Sequence, residues 1–337
     1  MPELQHAISL LHQGHLVAFP TETVYGLGAA ATNPAAIDLI YQTKGRPSTN
    51  PLILHVASEE IARRYVADWP LAASRLAQAF WPGPLTLILP KRLKFTQDSG
   101  LSTQDYLIPD NATAGLPTVA LRVPNHPLAL KLLREFDGPL AAPSANRSTH
   151  VSPTTAQHVL DEFADSRAAG GTREPSLILD GGPCTVGIES TVLDLTTSVP
   201  TILRPGHITA ADLAPLIGAV QMSTAVTPMT LAAASPGQQE IHYAPRTPAY
   251  RFDPRQKNLL PTTQVGILTL TMSELPAPAH TIQMPTEPAD YAHHLYASLR
   301  RLDALNLPAL YVEMPPDEPA WSAIRDRLTR ATRPLPQ

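Results

Sequence analysis

Proline occupies 37 of the 337 positions. Each proline fixes φ and removes a backbone N–H, so a helical bundle cannot absorb that many. The chain has to be assembled from short elements, loops and strand edges. Between the prolines, apolar runs of strand length alternate with stretches of helical spacing, which is the pattern of an α/β sheet protein. A hydrophobic share of 43% and a charged share of 16% fit a soluble globular chain. At this length two domains are expected rather than one.

Leu4, Ile8 and Leu11 predict a helix over Glu3–Gln13, ended by Gly14. Strands are predicted at Leu16–Phe19, Leu52–Val56, Leu85–Leu89, Val119–Val123, Leu140–Ala142, Leu177–Asp180, Ser190–Asp194 and Thr201–Arg204. Helices are predicted at Pro34–Thr43, Ser58–Val66, Pro70–Phe80, Pro127–Glu135, Thr154–Phe163 and Thr209–Ile217. Lys91–Gly115 is polar and reads as a long surface excursion, and Gln221–Pro236 reads as a linker. Beyond it, Val265–Leu270, Ala289–Leu305, Ala309–Glu313 and Ala320–Ala331 read as strand, helix, strand, helix: a small parallel α/β unit. The expected division is 1–219, a linker 220–247, and 248–337.

The net charge of −4 advertises neither a nucleic-acid nor a membrane partner. Aromatic residues make up only 5%, which argues against base-stacking platforms. Cys184 is the single cysteine, so an intramolecular disulfide and a cysteine zinc site are excluded, in keeping with a reducing cytoplasm. Met1–Gly14 has no cationic start followed by an apolar core, so no signal peptide is indicated. No apolar run approaches the ~20 residues that span a bilayer.

Chemistry enters with Lys44-Gly45-Arg46 and Ser144-Ala145-Asn146. Two cations on either side of a glycine suit a polyanion, although the triplet alone also fits a solvated loop. A hydroxyl and an amide two residues apart, after a strand, suit fixed contacts to a small ligand. Arg122 and Arg204 complete a cationic set; each fits an inward ligand contact or an outward solvated side chain. The P-loop pattern is absent. Gly26–Ala31 matches G-x-G-x-x-A, but Pro20–Tyr25 separate it from the strand and no acid stands ~20 residues on. These glycines therefore read as letting a helix start close to a ligand or to the sheet. His55 ends a strand and fits either a structural or a ligand-contacting role. His293-His294 reads as helix surface. Glu22 and Glu189 read as partners that orient Lys44 and Arg46 rather than as bases. No HExxH or other metal-ligand cage is seen.

Taken in order, Pro20–Gly28 (PTETVYGLG), Lys44–Pro47, Asn50–His55, Trp81–Thr86, Val119–Pro124, Ala142–Asn146 and Gly187–Val192 resemble the YrdC/Sua5 family, the threonylcarbamoyl-AMP synthases. The likeness runs from about residue 5 to about residue 217, and the part from Ser235 onward, with His242-Tyr243-Ala244-Pro245, resembles the extra domain of the longer Sua5-type members.

The resemblance implies a YrdC-like twisted mixed sheet with helices around a concave cavity, plus a small Rossmann-like parallel α/β domain. It implies synthesis of threonylcarbamoyl-AMP and pyrophosphate from L-threonine, bicarbonate or CO2, and ATP. Arg46, Asn50, Thr118, Ser144, Ser152, Arg204 and Tyr243 fall to ATP, and Thr23, His55, Arg122, the main chain at Ala142, and Ser190 fall to threonine. Lys44, Arg46, Ser144 and Asn146 are the catalytic set in the phosphate region. Mg2+ is expected with ATP, with no tightly bound cofactor and no protein metal site. The linker would fold back so that Tyr243 closes the nucleotide site. The product would pass to a transferase that modifies adenosine 37 of tRNA, in the cytoplasm, with direct tRNA contact weak. The alternatives are a non-catalytic YrdC-like module binding tRNA or double-stranded RNA, and a hydrogenase-maturation type of carbamoyl transfer. The single cysteine argues against the latter. The role of the C-terminal domain stays open among gating, partner binding and support of the linker.

Overall fold

The computed structural model describes residues 2–93, 107–168, 174–223, 242–261, 264–271 and 280–335. The predicted apolar runs come together as one sheet. In chain order the first part holds α1 (Pro2–His12), β1 (Val17–Phe19), β2 (Gly26–Ala30), α2 (Pro34–Lys44), β3 (Ile53–His55), α3 (Glu59–Arg63), α4 (Leu71–Phe80), β4 (Leu85–Pro90) and β5 (Thr118–Arg122). It continues with α5 (Pro127–Phe136), β6 (Leu140–Ala141), α6 (Ala156–Ala168), β7 (Leu177–Ile178), β8 (Thr191–Asp194), β9 (Thr201–Arg204), α7 (Ala210–Ile217) and β10 (Gln221–Met222). The sheet order is β10-β9-β8-β4-β5-β3-β6-β2-β1-β7, with parallel pairs at β9–β10, β4–β8, β3–β5 and β1–β7 and antiparallel pairs elsewhere.

Alternation along each strand divides the core between two faces. Ala18, Leu54, Leu87 and Leu121 pack with Ile37 and Ile40 of α2 on one side. Val17, Phe19 and Leu140 pack with Leu4 and Leu11 of α1 and Leu132 and Leu133 of α5 on the other.

The second part forms a five-stranded, all-parallel sheet in the order β13-β12-β14-β11-β15. Its elements are β11 (Ala249–Phe252), β12 (Gly266–Thr269), β13 (His280–Gln283), α8 (Pro288–Asp303), β14 (Leu310–Glu313), α9 (Ser322–Ala331) and β15 (Arg333–Pro334). Tyr291, Leu295, Leu299, Ile324 and Leu328 fill its core. The same cluster takes in Val24, Val151, Ile188 and Tyr243, so the apolar interior of the second part continues into the loops of the first.

Three sequence readings need correction. The glycines of Gly26–Ala31 do not open a helix: Gly26–Ala30 is strand β2, wholly buried. Small residues hide its strand character, yet the packing requires them, since a Cβ on Gly28 would stand 2.7 Å from the Phe19 ring. The excursion is not all surface. Lys91, Ile108, Ala112 and Thr113 are buried, and Lys91 holds Asp110 at 2.7 Å and Thr113 at 2.9 Å; residues 94–106 lie outside those described. The C-terminal unit also has three strands beyond the two predicted, β11, β13 and β15. Of the predicted linker Gln221–Pro236, residues 224–236 lie outside those described.

Candidate active site

Strand ends deliver most of the site. His55 ends β3 and Arg122 ends the parallel neighbour β5, paired in register. Ala142 follows β6, with its N–H on the carbonyl of Ile53 at 3.0 Å. Ser144 bridges to Gly26 at the start of β2. Ser190 precedes β8, and Arg204 ends the antiparallel β9. The turn between β1 and β2 folds on its own hydroxyls: Thr21 Oγ1 donates to the carbonyl of Val24 at 2.6 Å and lies 2.8 Å from Thr23 Oγ1. These elements enclose a cavity of about 40 Å³, lined by Thr21, Thr23, Val24, Gly26, Arg46, Ile53, His55, Arg122, Ala142, Pro143, Ser144, Glu189, Ser190, Arg204 and His242.

The Lys44-Gly45-Arg46 triplet is a helix cap. Lys44 is the last residue of α2, and Gly45 takes φ 60°, the left-handed conformation that glycine reaches without steric cost. The N–H groups of Gly45 and Arg46 return to the carbonyls of Gln42 and Tyr41. The turn sends both cations inward, at 3% and 8% exposure, which removes the solvated-loop reading. Lys44 Nζ donates to the carbonyl of Ser144 at 2.5 Å and to that of Asn146, so it ties the cap to the Ser-Ala-Asn loop and does not itself line the cavity. Arg46 donates to the carbonyls of Asn50 at 3.2 Å and Pro51 at 2.9 Å.

Burial sets the electrostatics. Desolvation, with Arg46 alongside, holds Lys44 well below its ordinary pKa, and desolvation brings Arg46 to about 10. Burial brings His55 to about 3, helped by Arg122. Burial also brings His242 to about 3, with Arg46, Lys44 and Arg204 adding to it. Both imidazoles are neutral at pH 7. Burial pushes the Glu189 carboxyl up, but Arg327 and Arg204 and the hydrogen bonds to it outweigh this and hold it at about 2.

The two motif carboxylates do orient cations, though not the expected ones. Glu22 pairs with Arg122 at 2.7 Å and accepts the N–H of Asn125 at 3.0 Å. Arg122 also donates to Thr23 Oγ1 at 2.9 Å and to the carbonyl of Gly83 at 3.2 Å. Glu189 accepts from Ser152 Oγ at 2.6 Å, Tyr296 OH at 2.9 Å and Arg327 Nε at 2.8 Å. Lys44 and Arg46 donate instead to main-chain carbonyls.

Of the predicted residues, Thr23, Arg46, His55, Arg122, Ala142, Ser144, Ser190 and Arg204 line one cavity. Ser190 is held by Thr86 Oγ1 at 2.8 Å and by Arg204. Lys44, Asn50, Asn146, Ser152 and Tyr243 are buried but are not part of the lining. Thr118 is half-buried at the start of β5 and is not brought to the cavity. Several of these buried groups lack partners among the described residues: both side-chain heteroatoms of Asn50, Asn146 Oδ1, Tyr243 OH, His242 Nδ1 and His55 Nδ1. Buried polar atoms without partners are costly, and two of these residues, His55 and His242, line the cavity.

Sequence reasoning missed Arg327 and Tyr296. A signal existed. Arg327 sits among Ala323, Ile324, Leu328 and Ala331 on the buried side of α9, and an arginine inside an apolar helical stripe implies a buried anion.

The family model described as "Telomere recombination", of the Sua5–YciO–YrdC type, matches residues 9–206. A second, described as "Threonylcarbamoyl-AMP synthase, C-terminal domain", matches residues 208–332. A threonylcarbamoyl-AMP synthase of Bacillus subtilis (strain 168) is 40% identical over 341 aligned positions, covering 98% of this chain and 93% of the relative. One of Schizosaccharomyces pombe is 34% identical, covering 97% and 88%. The crystal structure of Pyrococcus abyssi Sua5 complexed with L-threonine superposes with a TM-score of 0.84 at 34% identity, covering 98% of this chain and 95% of that one. The chain therefore belongs to the Sua5–YciO–YrdC family, in the longer form that carries the threonylcarbamoyl-AMP synthase C-terminal domain.

Proposed function

We infer that this protein is an L-threonylcarbamoyladenylate synthase, a nucleotidyltransferase that makes threonylcarbamoyl-AMP and pyrophosphate from L-threonine, bicarbonate or CO2, and ATP. The observation that carries this reading is the cavity itself. Arg122, His55 and Thr23, neighbours through strand pairing and the Arg122–Thr23 hydrogen bond, line it together with Arg46, Ser144 and Arg204, in a chain of this family. That set of residues offers one cation for a carboxylate and two for a polyphosphate around a single cavity.

Arg122 holds the threonine carboxylate, with Glu22 and Thr23 fixing its guanidinium. His55, neutral, offers a hydrogen bond without contributing charge. Its low pKa makes it a poor base. The neutral threonine amine attacks CO2, and loss of one N–H proton to solvent leaves a carbamate. A carbamate oxygen then attacks the α-phosphorus: an O–P bond forms, the bond to the bridging oxygen breaks, and pyrophosphate leaves. Arg46 and Arg204 stabilise charge gathering on the phosphates. Lys44 keeps the Ser144–Asn146 loop against that charge, and Asn50, Ser152 and Tyr243 complete the nucleotide end. Positioning three reactants in one space supplies much of the rate. Among the described residues no three His, Cys, Asp or Glu side chains gather to hold a metal. Magnesium, expected with ATP, would neutralise charge on the phosphates, and no step is routed through it.

Of the expected linker 220–247, residues 224–241 lie outside those described; His242, which follows them, lines the cavity, and Tyr243 beside it is assigned to closing the nucleotide site. The product is passed on to a transferase acting on tRNA. Lys44, Arg46, Arg122 and Arg204 are all buried, so they form no exposed basic face for RNA. No helix among the described residues is long and apolar enough to cross a membrane, and the single cysteine suits the cytoplasm.

The test is pyrophosphate release from ATP with bicarbonate and Mg2+, each standard amino acid being supplied in turn. Release stimulated by L-threonine, with an AMP-linked product, is expected. A folded protein without threonine dependence would overturn the reading.

A further inference from the structure

We propose that Arg327 of α9, with Tyr296 of α8, is a positioning element through which the C-terminal domain sets the nucleotide end of the active site. The proposal rests on the assignment of Ser152, Arg204 and Tyr243 to ATP.

Arg327 is 0% exposed and contacts the first domain's site loops directly. Its Nε donates to Glu189 Oε2 at 2.8 Å, and its Nη1 meets Asp326 at 2.8 Å. The guanidinium lies 5.0 Å from the centre of the Tyr243 ring, a cation–π contact that holds the ring where its hydroxyl is buried. Tyr296 stacks on the same Tyr243 ring, the centroids 5.8 Å apart, and its hydroxyl donates to Glu189 at 2.9 Å.

Glu189 is thus the junction. One of its oxygens takes Ser152 Oγ; the other takes the two C-terminal donors. Losing Arg327 leaves a buried carboxylate short of its cation and Tyr243 without its support. Both consequences fall on groups of the nucleotide end. Ser190, next in sequence, is anchored separately by Thr86 and Arg204, and the threonine end rests on Glu22, Thr23 and Gly83. A role confined to general folding would weaken both ends together. A positioning role splits them.

Arg327→Lys keeps a buried cation but loses the planar fork and the ring contact. Tyr296→Phe keeps the ring and loses one donor to Glu189, so it serves should the arginine variant not fold. Binding to the full chain is measured by calorimetry with α,β-methylene-ATP, which cannot release pyrophosphate, and separately with L-threonine. Arg327→Lys is expected to weaken nucleotide binding at least tenfold and Tyr296→Phe about threefold, with threonine affinity unchanged within twofold. Equal loss for both ligands would make Arg327 structural and overturn the proposal. Arg204→Ala is the control. If it weakens the nucleotide while both C-terminal variants leave it unchanged, the positioning role fails alone. If none of the three weakens it, the nucleotide assignment fails as well.

Discussion

Two buried arginine–carboxylate pairs flank the cavity, and they are built differently. Arg122 and Glu22, 2.7 Å apart, belong to the same sheet: a strand end and the turn between its first two strands. Arg327 of α9 and Glu189 of the loop before β8, 2.8 Å apart, belong to different parts of the chain, which share one apolar cluster. The threonine end is therefore a product of local strand register. The nucleotide end is composite and depends on a helix more than a hundred residues downstream. Breaking a buried pair by removing one partner typically costs about 3–5 kcal/mol, so the second pair couples docking of the C-terminal domain to the geometry of the site.

The largest effect is expected at Arg46, in the phosphate region. Arg46→Ala should lower turnover about 100- to 1000-fold, the range for removing one group that stabilises developing charge. Arg46 and Asn146 are not loosely held loop side chains, because each donates to two carbonyls. Their alanine variants should therefore also lose about 1–3 kcal/mol of stability each, as carbonyls are left without donors. Thermal melting beside steady-state kinetics reads both quantities. Wild-type turnover in Arg46→Ala would remove the phosphate role.

Next come the carboxylates, which test the comparison directly. Glu22→Gln weakens the hold on Arg122 and should raise the KM for threonine about tenfold, leaving that for ATP nearly unchanged. Glu189→Gln should do the reverse. If both substitutions raise both constants alike, the two ends are not separable and the comparison fails.

A smaller effect is expected from pH. His55 and His242, one at each end, are held at about 3 against an ordinary 6.5. Below pH 6.5 the unfolded chain takes up these protons and the folded chain does not, so stability falls as pH drops from about 6.5 towards 3. The slope is about 1.4 kcal/mol per pH unit for each group. Glu189, held at about 2 against 4.5, adds a loss only between about pH 4.5 and 2. Urea denaturation across pH 5–7 should show a shallower slope in His55→Gln and in His242→Gln. An unaltered slope in either would mean that its imidazole is charged in the folded protein.

The same contrast explains what the sequence made legible. His55, Arg122, Ser144, Ser190 and Arg204 stand at the ends of short apolar runs, and strand alternation with parallel register is enough to gather such ends. Local signals also place the Gly45 cap, once its glycine is read as left-handed backbone and not as a flexible spacer. Strand β2 stayed hidden because Gly26-Leu27-Gly28-Ala29-Ala30 carries no β-branched residue; its conformation is imposed by β1 and β6 on either side. For Arg327 and Tyr296 the sequence could show that a polar group is buried, but not what it meets. Their shared partner is Glu189, a contact set by how the two parts dock, and no pattern within α8 or α9 names the residue on the other side.

The smallest effect is expected at Cys184. Its thiol is 2% exposed, and burial pushes its pKa up to about 12, with Glu22 adding to the rise. It is thus a protonated, enclosed sulfur beside the threonine-end pair, although a lone cysteine near an active site invites a nucleophilic reading. A thiol so rarely ionised at pH 7 forms no covalent intermediate. Its contribution is packing, and Cys184→Ala should cost about 1 kcal/mol of stability while turnover stays within twofold. Rapid quench should find no acyl or phosphoryl adduct on the wild-type chain. A hundredfold loss of turnover in Cys184→Ala, with a normal melting curve and with Glu22→Gln behaving as expected, would return the sulfur to the chemistry and require a mechanism in which the threonine end does more than bind.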